Sequence, residues 1–179
     1  SQSISQNIGY HWEKSNKAQH TLNLIELSFS QIGEINAHIQ NQINQNPFLN
    51  EQFEDKFIPS TNYTFTYSDQ QIYKPANYTY CQVKIETSGN LFRTFSPFIG
   101  LNYNKNGDYV IFNNPFSQYI KLDFDFRKFF IFAEDNILAC RVFYGIGYAY
   151  GNSQSLPIQK QLFSGGVNSV RAWGAFGLG

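Results

Sequence analysis

Apolar and polar residues alternate with a period of two over much of this chain, the pattern of β-strands with one apolar face. The clearest stretches are about 118–132 and 136–150. In the first, Leu122, Phe124, Phe126, Phe130 and Phe132 share one face, and Lys121, Asp123, Asp125 and Arg127 share the other. In the second, Leu138, Cys140, Val142, Tyr144, Ile146, Tyr148 and Tyr150 alternate with Ala139, Arg141, Gly145, Gly147 and Ala149. A brief turn at Glu134-Asp135-Asn136 separates them. Weaker alternation predicts four earlier strands at about 1–13, 20–32, 60–69 and 77–88. Ile8, Tyr10 and Trp12 oppose Gly9, His11 and Glu13 in the first of these. Ile25, Leu27 and Phe29 then oppose Glu26, Ser28 and Ser30, and Tyr63, Phe65 and Tyr67 oppose Asn62, Thr64 and Thr66. In the fourth, Cys81, Val83 and Ile85 oppose Gln82, Lys84 and Glu86.

The connections alternate between short and long. Residues 14–20, 73–77 and 134–136 read as turns. Residues 33–59 read as a long loop carrying a helical piece, because Ile35, Ile39 and Ile43 recur every four residues and Pro47 ends the stripe. Residues 89–118 read as another long loop, punctuated by Gly89, Pro97, Gly107 and Pro115. A third begins at Gly151. Tight turns at one end and long loops at the other are what a transmembrane barrel shows. A soluble sandwich offers the same two faces, with the apolar one as core, so a single strand does not separate the two. Strand lengths of about 11–14 residues, against five or six in globular proteins, favour the barrel. So do the interface-seeking rings of Tyr144, Tyr148 and Tyr150. The predicted class is all-β: an antiparallel transmembrane β-barrel.

Composition sharpens this picture. Only 15% of the 179 residues are charged, 18% are aromatic, and acidic and basic residues are equal at 13 each. Soluble domains carry about a quarter charged residues. Neutral charge without Lys/Arg clusters argues against nucleic acid as a partner. No apolar run reaches the length of a membrane-crossing helix. The chain opens on Ser-Gln-Ser without Met, signal peptide or basic leader, which predicts the interior of something longer.

Candidate chemistry is sparse. His11, His20 and His38 fall in a strand end, a turn and a loop, with no nucleophile at a useful spacing. Asp123 and Asp125 lie two apart on one face, as paired carboxylates would. Lys121 and Arg127 flank them, however, which reads as inward charges of a lumen together with Arg141. Cys81 and Cys140 make no metal motif, and a disulfide would need their strands to be neighbours in register. No phosphate loop or metal spacing occurs. Neither enzymatic activity nor a cofactor or metal is expected.

The last stretch carries two glycines, Gly165 and Gly166, suited to a tight reversal. Arg171 beside Trp173 suits a guanidinium that inserts and pairs. An ordinary surface loop carries such residues too. With the segments around it, though, the stretch resembles a known family. Gly147-Tyr-Ala-Tyr-Gly-Asn-Ser153, Leu156-Pro157, Lys160-Gln-Leu-Phe-Ser-Gly-Gly166 and Asn168-Ser-Val-Arg-Ala-Trp173 resemble the barrel of the BamA/TamA (bacterial surface antigen) family. They are more closely similar to the TamA-like proteins of Bacteroidetes. Asn46-Pro47-Phe48-Leu49 and Phe53–Ile58 resemble the family's helical fourth loop and the approach to the following strand.

The resemblance implies that Val170, Arg171, Ala172 and Trp173 stand for the Val-Arg-Gly-aromatic motif of the sixth extracellular loop, which folds into the lumen. Ala172 departs from the usual glycine, and residues 174–179 depart from the family's continuation. Arg171 inherits a latch role, its acid coming from strands outside this chain ahead of Asp123 or Asp125. The parent barrel would have about sixteen strands. About six of them, from its middle, would lie here, followed by the start of the sixth loop at 151–179. The implied protein sits in the outer membrane of a Gram-negative bacterium and inserts or exports other proteins without covalent chemistry. Its partners would be outer-membrane lipid, unfolded outer-membrane proteins and periplasmic or lipoprotein accessory subunits. Alternatives are a two-partner-type secretion pore and a soluble β-sandwich binding protein.

Overall fold

The computed structural model describes residues 2–31, 56–71, 76–100, 102–104, 107–111, 114–133 and 136–162. In chain order they form β1 (Gln2–Ser15), β2 (Ala18–Gln31), β3 (Lys56–Ser68) and β4 (Tyr78–Ser88), then helix α1 (Asn90–Ile99). Three short strands follow, β5 (Asn102–Tyr103), β6 (Tyr109–Ile111) and β7 (Asn114–Pro115), before the long β8 (Tyr119–Ala133) and β9 (Asn136–Ala149). The six long strands make one antiparallel sheet in the order β1-β2-β3-β4-β8-β9, and β5–β7 make a small sheet of their own. The large sheet is not closed within this chain, because β1 and β9 each pair on one side alone.

The faces of this sheet are inverted relative to a soluble sandwich. Ile8, Tyr10, Ile85, Val142, Ile146 and Tyr148 stand exposed on the apolar face. On the polar face Glu86, Ser88 and Asn62 are buried. Of the buried apolar side chains among the described residues, Ile58 and Tyr119 lie on the polar side, and Phe116 bridges Phe57 beneath α1, at the end where the long connections gather. A sheet that exposes its isoleucines and covers its glutamates suits lipid outside and a filled lumen inside. Near the tight-turn end the apolar face carries an aromatic cluster. Trp12 stacks on His20 at 5.0 Å between centroids, and His20 meets Phe65 at 5.1 Å. The His20 ring nitrogen Nδ1 lies 2.7 Å from the Tyr63 hydroxyl. Such amphipathic rings suit a membrane–water interface.

Three expectations need correction. His20 stands within β2, because the β1–β2 turn is confined to the residues between Ser15 and Ala18. β3 starts at Lys56, inside the stretch read as loop. Pro59 masked it, since proline breaks strand patterns, yet here the Pro59 carbonyl accepts from the Ser88 hydroxyl at 3.0 Å. Residues 89–118 are not simply a loop. Gly89 (φ 74°), which reads as punctuation, and Gly100 (φ 64°) instead bracket α1 in left-handed conformations. The faces expected for β2 stand, with a bulge added to the strand. Asn23 pairs with Asn62 and Glu26 with Ser60, both on the polar face, so Leu24 and Ile25 are consecutive residues on the apolar one. The helical stripe Ile35, Ile39 and Ile43 lies outside the described residues.

Cys81 and Cys140 are free thiols. β8 runs between their strands, β4 and β9, which holds their backbones roughly two strand spacings of about 4.8 Å apart. That exceeds the reach of a disulfide.

Candidate functional site

After β9 the chain turns back over the polar face. Three anchors make the turn. The Tyr150 amide donates to the Gln118 carbonyl (3.1 Å), the Tyr150 hydroxyl donates to Asn90 Oδ1 (2.6 Å), and the Gln118 amide donates to Ser153 Oγ (3.1 Å). Asn152 is held twice to the β6 backbone: its Nδ2 donates to the Tyr109 carbonyl (2.7 Å) and its Oδ1 accepts from the Tyr109 amide (3.1 Å). The loop entrance is thereby tied to the β4–β8 connection.

The stem then lies along β9. Leu156 sits over Gly147 and Leu162 over Gly145. A Cβ added at these glycines would come within 2.5 Å of Leu156 Cδ2 and 2.6 Å of Leu162 Cδ1. Glycine here is therefore a matter of close approach. A single 3-10 turn, Ile158–Lys160, ends in the cation that completes the dock.

Lys160 Nζ lies 2.7 Å from Glu86 Oε1 on β4 and 3.3 Å from Glu26 Oε1 on β2. Glu86 is 1% exposed. Its Oε1 also accepts from the Tyr119 hydroxyl at 2.6 Å, and its Oε2 faces Lys84 Nζ at 2.9 Å. Glu26 Oε2 accepts from Asn62 Nδ2 at 2.7 Å, and Asn62 Oδ1 from Asn23 Nδ2 at 3.0 Å. One hydrogen-bonded network thus joins β2, β3, β4, β8 and the stem. It contains two lysines and two glutamates, so its charges cancel. Burial of charge is tolerated when the ions are paired and their remaining positions satisfied. Burial alone would depress the Lys160 ammonium. The hydrogen bond that Lys160 donates to Glu86 and the charges of Glu86 and Glu26 outweigh it and hold Lys160 above the ordinary lysine range.

The predicted lumen charges form a second cluster toward the tight turns. Asp125 accepts two hydrogen bonds from Arg127 (3.0 and 2.7 Å) and two from Arg141 (3.2 and 2.8 Å). Arg127 lies over the Tyr80 ring at 5.0 Å and Arg141 over Phe143 at 5.5 Å. Asp123 pairs with Lys121 at 3.2 Å. Each of the two aspartates therefore has its own cation on the sheet. Because both arginines stay 40–46% exposed, Asp125→Asn is expected to cost only about 1 kcal/mol. The check is the thermal midpoint of the heat-modifiable gel shift, which should fall slightly while proteolysis of the stem stays unchanged.

Gly165, Gly166, Val170, Arg171, Ala172 and Trp173 lie outside the described residues. Sequence reasoning did not single out Lys160, Glu26, Glu86 and Tyr119. A signal existed: Lys160 is the sole charged residue between Gly151 and Val170, and Glu26 the sole carboxylate between Ala18 and Gln31.

A meander of long antiparallel strands, apolar face open and polar face covered by its own loop, defines part of a transmembrane β-barrel. The chain matches the Omp85 superfamily domain over residues 1–179, and it belongs to that superfamily. No curated protein and no solved structure matches it. Membership implies the bacterial outer membrane and, at the level of the superfamily, insertion or translocation of proteins there by members that are generally non-catalytic.

Proposed function

We propose that this chain is the middle section of a BamA/TamA-type assembly barrel, related most closely to the TamA-like proteins of Bacteroidetes. Its role would be to help insert other outer-membrane proteins. The observation that carries the reading is the docked stem: Lys160 of the loop after β9 is paired with Glu86 and Glu26 on the polar face of an Omp85 sheet. A loop docked on the polar face of the sheet fits a barrel that works by changing its wall.

The free edges of β1 and β9 would leave backbone groups unsatisfied in lipid, so further strands complete the wall, about sixteen in all. In this reading the network across β2, β3, β4 and β8 makes a stiff panel, and opening occurs at a seam elsewhere. The motif Val170-Arg171-Ala172-Trp173 follows the stem in sequence. Arg171 is assigned the latch role on the strength of that motif, with its acid supplied from outside this chain. Unfolded outer-membrane proteins are the substrates, and periplasmic or lipoprotein subunits the accessory partners.

The test is depletion of the intact protein in its own cell, followed by quantification of all other outer-membrane barrels. A broad fall in those proteins is the expected result. Loss of one exported protein alone would replace this reading with a dedicated two-partner secretion pore. Unchanged levels of every barrel and exported protein would overturn it.

A further inference from the structure

On the apolar face, beyond the long-connection end of β4, α1 leans over the middle of β2 and the neighbouring part of β3 and leaves a cleft of about 190 Å³. Leu24, Ile25 and Pro59 form its strand wall, and Leu91, Phe92 and Phe95 its helix wall. We propose that this cleft holds an acyl chain of an outer-leaflet lipid, clamped between the β2 bulge and α1. The inference rests on the membrane-spanning fold and superfamily membership, and is independent of the assembly role.

Three observations select hydrocarbon as the occupant. First, the cleft is continuous with the lipid-facing surface. The bulge turns Leu24 and Ile25 outward together, onto the face that carries Ile8 and Ile85. Second, α1 is built as an interfacial helix. Leu91, Phe95 and Phe98 recur at helical spacing and are 44%, 50% and 86% exposed. Phe92 instead packs inward, 6.4 Å from Phe57 and 6.2 Å from Phe116 between ring centroids. An apolar stripe of this kind beside the ends of membrane strands lies at the headgroup boundary. Third, the cleft has no charged lining residue, and apart from the buried Ser60 hydroxyl its side-chain polar groups bond within the protein. The Thr61 hydroxyl donates to the Leu24 carbonyl at 2.8 Å, and Asn90 Nδ2 donates to Thr87 Oγ1. An occupant meets apolar walls and no available charge, as an acyl chain requires. The cleft lies toward the long connections, the side of the outer leaflet in such barrels.

The experiment compares two photoreactive variants of the intact protein, Phe95→benzoylphenylalanine in the cleft and Tyr144→benzoylphenylalanine on the open apolar face. The two parent side chains are similarly exposed, at 50% and 56%. Protein extracted from native membranes is washed through repeated detergent exchange and irradiated, and adducts are identified by mass. We expect lipid adducts at position 95 at least about tenfold above those at 144, a retention difference of about 1.4 kcal/mol. Leu24→Trp, which fills the cleft, should abolish that difference while the heat-modifiable gel shift persists; Ile25→Trp serves if it does not fold. Equal adducts at both positions would mean ordinary boundary lipid and overturn the proposal. Crosslinks from position 95 to the chain's own residues 32–55, or to a second copy, would overturn it by naming another occupant. Absence of any adduct would overturn it too.

Discussion

Glu86→Ala in the intact protein is expected to release the loop stem, at a cost to the docked state of about 3–5 kcal/mol, the range for breaking a buried ion pair. The size follows from how much converges on one carboxylate. Its two oxygens face Lys160, Lys84 and the Tyr119 hydroxyl at 2.7, 2.9 and 2.6 Å. Without it, Glu26 alone opposes two lysines, and a buried hydroxyl loses its acceptor. Glu86→Gln keeps the shape and one acceptor oxygen, so it should fall between parent and Ala. Trypsin reads the outcome, because cleavage after Lys160 requires the side chain to leave the network. Cleavage at least about tenfold faster in Glu86→Ala corresponds to only 1.4 kcal/mol and is well inside the expected range. If cleavage stays as slow as in the parent, Glu86 does not hold the stem.

The same network sets a pH dependence with a definite sign. Lys160 is raised in the folded state above its ordinary value of 10.5. A raised group contributes its stabilisation fully below the unfolded value and loses it as pH rises through the folded one. Loosening from this group therefore belongs to strongly alkaline solution. The stem should stay equally protected across the neutral range.

Gly147→Phe attacks the dock from the other side without touching a charge. A Cβ alone would already crowd Leu156 at 2.5 Å, and a ring cannot share that space with the stem. Overpacking of this kind costs about 1–3 kcal/mol. The cost should fall on the stem rather than the wall, because aromatic residues suit strands and Gly147 lies opposite Lys121 within an otherwise regular ladder. The expected result is a barrel that still shows the heat-modifiable shift but is cleaved rapidly after Lys160. Gly147→Ala should do less, since the atom it meets is the end of a flexible side chain. A stem as protected in Gly147→Phe as in the parent would show that the glycines serve something other than close approach.

These variants also separate docking from assembly. If stem release by Glu86→Ala and Gly147→Phe lowers outer-membrane barrel levels as depletion should, the docked loop is part of the working state. Two chemically unrelated routes to the same release guard against reading a charge effect as a docking effect.

The sequence by itself determined the six long strands, their antiparallel meander and the division into an apolar and a polar face. Each of these depends on residues close together: period-two alternation sets the faces, and turn lengths set which strands neighbour. The motifs from Gly147 to Trp173 also carried the family resemblance, because they are contiguous. What lay beyond local pattern was decided by the tertiary structure. Glycine and proline made 89–118 look like a loop, yet Gly89 and Gly100 bracket α1, whose Phe92 is held by Phe57 and Phe116 from β3 and the β7–β8 link. The bulge at Leu24 and Ile25 shifts register by one residue, and only the pairing of Asn23 with Asn62 and Glu26 with Ser60 reveals it. Arg127 and Arg141 converge on Asp125 because β8 and β9 pair in one particular register. Lys160 meets Glu26 across 134 positions of sequence. No period in a chain encodes such a meeting; it exists because the sheet curves the two glutamates toward a loop that two glycines let come close.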